Sequence, residues 1–196
     1  MPSLYPRIHI LPDTLAHSPT SVIAAFPLPT RLLAATQQML APLPAPLVEA
    51  WLRDESGHIV IGAATHAFIP GPSTVFQRQL EDVAWVQASR LVEDTAGFLV
   101  PAGRLIHSLI LNRWRLPRQP SPAVWEQFWA GLTSCHRAGY AASQEALADV
   151  DLYLAEGIAR WLADRRGLNL EDPRLEKLLA AAFFNADFYR NLDLTR

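Results

Sequence analysis

At 196 residues, half of them apolar and 18% charged, the chain is too apolar for a disordered protein and long enough to bury a core without disulfide or metal staples. Its net charge of −2 gives no global attraction to nucleic acid or anionic membranes, and its lone cysteine, Cys135, excludes an intramolecular disulfide. The opening MPSLYPRIHILPDTL lacks the basic-then-apolar order of a secretory signal, and no apolar run reaches the roughly 20 residues that span a bilayer. One soluble, cytoplasmic domain with no membrane partner is therefore expected.

Eleven of the 16 prolines lie in residues 1–72, which rules out long regular helices there. Thr30 is placed to cap a helix over 31–41, and a second is expected over 46–53. Ser56-Gly57 reads as a turn, and HIVIGAATHAFI from His58 as a short strand that pairs with RIHIL at 7–11. After Pro72 the spacing becomes helical. Ser73 reads as an N-cap for a helix carrying Phe76, Leu80, Val83, Ala84 and Leu91 and ending near Gly97. Pro101 opens a second helix, apolar around most of its circumference and so central. Ser121-Pro122 starts a third, with Trp125, Phe128, Trp129 and Leu132 as its stripe. A fourth runs from Ser143 to Arg166 with Gly167 as its stop, and Asp172-Pro173 begins a fifth.

The fold expected from this is mainly α. It is a bundle of four to six helices over 73–196, with a proline-rich irregular segment 1–72 packed on it and contributing one or two short strands. The main competitor is an α+β arrangement.

Common catalytic signatures are absent: no Walker loop, no G-x-G-x-x-G, no H-E-x-x-H, no C-x-x-C and no nucleophile elbow. No cofactor and no metal site is expected. Of the 17 basic residues only Lys177 is lysine, which with the abundant Ala and Pro reads as bacterial-like, GC-rich coding.

The sharpest feature is a charge segregation. Residues 95–125 hold no acid and four arginines, Arg104, Arg113, Arg115 and Arg118, with Trp114 inside NRWR. Arginines that hold phosphates beside an aromatic that stacks a base would suit nucleic acid. Arg104, Ser108 and Arg115 share a helical face, with Arg113 well round from them. Pairing of the arginines with acids of neighbouring elements, and packing of Trp114, is the competing account. Trp and Arg also anchor protein interfaces.

Among histidines, His66, His107 and His136 are the three that convergence in space would turn into a site, although no spacing asks for it. Adjacent Cys135 and His136 diverge on a helix, so they make no dyad. Glu145, Asp149 and Glu156 fall on one face of the expected fourth helix, where Arg160 is placed to pair with Glu156.

The function expected first is a non-catalytic interaction module, an adaptor or an assembly or regulatory subunit that binds another protein, with homo-oligomerisation open. A nucleic-acid-associated protein using Arg104, Arg113, Trp114, Arg115 and Arg118 stands second. Third is an enzyme whose site is assembled from dispersed histidines and carboxylates.

Overall fold

The apolar run His58–Gly62 forms β2, the centre of a mixed sheet, and all of its residues are buried. The structure, a computed structural model, describes residues 3–114, 122–141 and 143–190. The strand order is β1 (Ile8–Ile10), β2, β4 (Arg78–Gln87), β3 (Ala67–Val75). β1, β2 and β4 are parallel, and β3 lies antiparallel on the outer edge of β4. Registers Ile8↔Ile59↔Ala84 and Ile10↔Ile61↔Val86 turn one face of the sheet toward the main core. The next row, His9↔Val60↔Trp85, faces the other way, where Val60, Val75 and Val83 form a smaller apolar cluster.

Three helices cross over from β1 to β2: α1 (Thr20–Ala25), α2 (Pro29–Met39) and α3 (Ala45–Arg53). After β4 come α4 (Arg90–Glu93), α5 (Thr95–Ser108), α6 (Pro122–Arg137), α7 (Gln144–Ala148), α8 (Val150–Glu171), α9 (Pro173–Ala181) and α10 (Ala186–Arg190). α5 runs on into a π-helical turn, Leu109–Arg113, closed by Trp114 N–H on the Leu109 carbonyl at 2.8 Å. α5 packs on β4 on one side and on α8 on the other. Among the described residues no helix is long and apolar enough to cross a membrane.

The strand pairing of 7–11 with the segment from His58 is present, as a parallel ladder. The mainly α, all-helical description is overturned: ten α-helices among the described residues accompany a four-stranded mixed sheet, an α/β fold rather than a bundle of four to six helices. The error lies at 73–91. Phe76, Leu80, Val83 and Ala84 recur at helical spacing, but they belong to the β3–β4 hairpin. Its two-residue loop is Phe76-Gln77, with φ of +52° and +61°. Such loops usually carry Asn-Gly or Asp-Gly, so this one has no sequence signature. Residue 72 falls within β3, so the segments on either side of it share one sheet.

β3 is protected as an edge strand by Pro70 and Pro72, which offer no N–H to a further strand. A register shift between Ile69 and Pro72 is set by Gly71 (φ +80°), whose N–H bonds Asp82 Oδ1 at 2.8 Å.

Four helix boundaries also differ from expectation. α2 begins at Pro29 with Leu28 as its N-cap, so Thr30 lies inside the helix and caps nothing. Pro101 lies inside α5, which starts from Asp94 as N-cap on Gly97 N–H at 2.9 Å. Pro101 has no N–H to donate to the carbonyl four residues back, that of Gly97. The expected helix 143–166 is broken at Asp149, whose Oδ1 caps α8 through Asp151 N–H (2.8 Å) and Leu152 N–H (3.3 Å). α8 is kinked again at Asp164, which accepts the Gly167 N–H at 2.9 Å. With that helix divided, the acidic face dissolves. Glu156 is buried and accepts from Ser143 Oγ at 2.6 Å, while Arg160 pairs with Glu171 rather than Glu156.

Candidate ligand-binding site

The described arginines of the 104–118 segment stand beside acidic residues of other elements. Arg113 reaches Asp54 (3.4 Å) and Glu81 (3.3 Å), and the Trp114 indole N–H donates to Asp54 Oδ2 at 2.9 Å. Burial would raise the Asp54 carboxyl, but hydrogen bonds from Ser56, Trp114 and Arg113 outweigh it and hold the group below the ordinary carboxylate range. Arg113 and Trp114 thus face acids of the α3–β2 connection and of β4, which is the pairing account. Arg104 lies elsewhere, exposed beside Asp149 and Asp151. Arg115 and Arg118 fall outside the described residues. The described members of the set therefore do not share one basic surface.

The three histidines occupy separate surroundings. His66 accepts the Gln87 N–H on Nδ1 at 3.3 Å, which ties the β2–β3 loop to the end of β4. His107 lies 3.5 Å from Asp151. His136 donates from Nε2 to the Ala146 carbonyl at 2.8 Å and packs against Tyr153. Its neighbour Cys135 is buried, and burial together with the Asp172 carboxylate pushes its thiol pKa up, away from a nucleophilic thiolate. Among the described residues no three His, Cys, Asp or Glu side chains are grouped to hold a metal ion.

A further histidine pair lies under the hairpin tip. His58 donates from Nε2 to the Glu55 carbonyl (3.2 Å), so its Nδ1 accepts from His9 Nε2 at 3.0 Å. Arg7 beside them donates to the carbonyls of Leu52, Asp54 and Glu55, tying the N-terminal strand to the carbonyl end of α3.

Burial is the largest cause that lowers the pKa of His9, His58, His66 and His107. A depressed folded pKa means that the unfolded chain takes up more protons below its own value of about 6.5. Stability is then fully present above that pH and is lost as pH falls through it. The melting temperature should drop between pH 7.5 and 5.5, above the carboxylate range. A flat profile across that window would refute the assignment of four neutral imidazoles, one buried and three half-buried.

The site that fits a ligand is at the carboxyl ends of β1 and β2, the edge at which parallel α/β sheets hold their ligands. A crevice of about 560 Å³ opens there, lined by Leu11–Thr14, His17, Gly62–Thr65 and Trp85. Its shape follows from the register. Leu11, Gly62 and Gln87 form the row beyond His9, Val60 and Trp85 on the same face, and Gly62 leaves the middle of that row without a side chain. A Cβ at Gly62 would meet Leu11 Cδ1 at 3.1 Å. Ala63 and Ala64 add little bulk beyond it.

The opposing loop is held in place before any ligand arrives. Leu11 N–H bonds the Ile61 carbonyl at 2.9 Å, and Thr14 Oγ1 reaches both the Leu11 (2.8 Å) and Ile61 (3.1 Å) carbonyls. Ser18 Oγ closes the turn on the Thr14 carbonyl at 2.6 Å. His17 donates from Nδ1 to the Asp13 carbonyl at 2.9 Å. A carbonyl can only accept, so the neutral ring keeps its lone pair on Nε2. Trp85 supplies apolar ring surface to the lining, and its indole N–H is buried without an acceptor among the described residues. None of these lining residues was singled out from the sequence. The one signal was the small-residue run Gly62-Ala63-Ala64 directly after a β-branched strand.

Set against known proteins, the chain matches no protein-family model, no curated protein and no solved structure.

Proposed function

We propose that this chain binds a small, largely apolar organic molecule in the crevice at the carboxyl ends of β1 and β2. The observation that carries this reading is a pre-organised cavity of ligand size, about 560 Å³, with apolar walls and few uncommitted polar groups. Because loop 11–18 is already bonded in place, little ordering entropy is left to offset binding. His17 Nε2 offers an acceptor, and Asp13 sets a negative rim. The ligand class is therefore neutral or cationic, with an apolar body and a hydrogen-bond donor placed for His17.

Ligand-observed NMR against a panel of neutral and cationic aromatic and alicyclic fragments tests the reading. Binding is expected in the wild type and lost in Ala64→Phe, which fills the mouth from an exposed position. His17→Leu should weaken it three- to tenfold, roughly one hydrogen bond. Fragment binding that survives Ala64→Phe unchanged, or no binding by any fragment, would sink it.

A further inference from the structure

α5 is buried along most of its length, yet one stripe of it is polar. Arg104, Ser108 and Asn112 follow one another at four-residue steps, with His107 alongside. These side chains form one wall of a second cleft, of about 250 Å³, which shares no lining residue with the crevice. The facing wall is the α7–α8 junction, with Asp149 and Asp151, and Phe68 and Pro70 of β3 complete the lining.

The two walls carry opposite chemistry, and they do not neutralise each other. Arg104 makes no ion pair among the described residues. Asn112 donates to Ser108 Oγ at 3.4 Å through Nδ2, an amide with a second N–H to offer. On the other side Asp149 uses Oδ1 to cap α8, and its Oδ2 makes no hydrogen bond there. Asp151 is 59% exposed, and the neutral His107 ring lies with Nε2 3.5 Å from its Oδ1. That contact falls short of a hydrogen bond, and His107 Nε2 is buried without one.

We propose that this cleft binds a small zwitterion of the amino-acid type. Its carboxylate would lie against Arg104 and Asn112, and its ammonium against Asp151 and Asp149. A simple anion would face two carboxylates, and a simple cation would leave Arg104 unanswered. Only a ligand with both charges meets both walls. The assignment is independent of the apolar crevice.

The test is isothermal titration of the full chain with each of the common L-amino acids. For the best of them, its amide (ammonium alone) and its deaminated acid (carboxylate alone) follow. At least one amino acid should bind with a Kd of about 1 mM or tighter, and each one-charge analogue about tenfold more weakly. Arg104→Gln and Asp151→Asn should each weaken binding about tenfold or more, the scale of a charge-assisted hydrogen bond, without lowering the melting temperature. The proposal is overturned if no amino acid binds at millimolar concentration. It is equally overturned if the amide binds as well as the amino acid, or if Arg104→Gln leaves affinity unchanged.

Discussion

Gly103→Ala should lower the stability of the protein by about 2–3 kcal/mol, although alanine in a helix interior ordinarily gains about 1 kcal/mol over glycine. The reversal comes from the α5–α8 crossing. A Cβ on Gly103 would lie 2.2 Å from the Ala155 carbonyl oxygen, 3.1 Å from its carbon and 3.4 Å from Ala159 N. All three are backbone atoms of α8, so no side chain can rotate away. The helices must move apart, and both belong to the main core through Ala102, Leu105, Ile106, Leu154, Ile158 and Ala159. For a chain of this size the melting temperature should fall by several degrees, at roughly 2–4 °C per kcal/mol. Gly157→Ala is the internal control. Its Cβ would meet Leu175 Cδ2 at 2.7 Å, the far end of a flexible side chain, so its cost should be smaller. Should Gly103→Ala melt at or above the wild type, the close crossing of α5 and α8 is wrong.

The elements that the sequence announced are those with local chemistry. Asp172-Pro173 places a side-chain cap and a φ-restricted residue at the start of α9, and the structure begins that helix there. Pro122 stands as the φ-restricted first residue of α6, and the two apolar segments at 8–10 and 58–62 found each other because both are short, β-branched and bounded by turn residues. What escaped was set by partners far along the chain. The second half of β4, Val83–Val86, carries apolar residues on both faces inside the sheet, so it shows no clean alternation and mimics a helical repeat. Its hairpin turns at Phe76-Gln77, which carries none of the residues that favour positive φ.

The charge reading met the same limit. Residues 95–125 hold a local excess of arginine, yet Arg113 is answered by Asp54 and Glu81, 59 and 32 residues away. The crevice was visible only as an absence of bulk at Gly62–Ala64, while Leu11–His17 contributes through loop conformation. His66 shows how a histidine that looks available is consumed by structure: its Nδ1 accepts the Gln87 N–H at the end of β4, 21 residues further along the chain.

A second large loss is expected at Asp172→Ala, about 3 kcal/mol, measured by chemical denaturation. Asp172 is only 1% exposed, and its two oxygens hold different partners. Oδ1 accepts the Leu175 N–H at 3.0 Å and caps α9, while Oδ2 accepts the buried Tyr153 hydroxyl of α8. Loss of the cap costs about 1 kcal/mol, and a buried hydroxyl left without an acceptor about 1–3 kcal/mol. Burial, then the bond to Asp172, pushes the Tyr153 phenol pKa up, so it remains a donor at any working pH. Asp172→Asn should cost less than Asp172→Ala, since its amide oxygen can still cap and its N–H can meet the phenol oxygen. Tyr153→Phe removes the donor and leaves the cap, so Tyr153→Phe and Asp172→Ala should combine to less than the sum of their separate losses. Additive losses would show that the two side chains act independently, and that α8 and α9 are joined by packing around Gly157 and Leu175 rather than through this carboxylate.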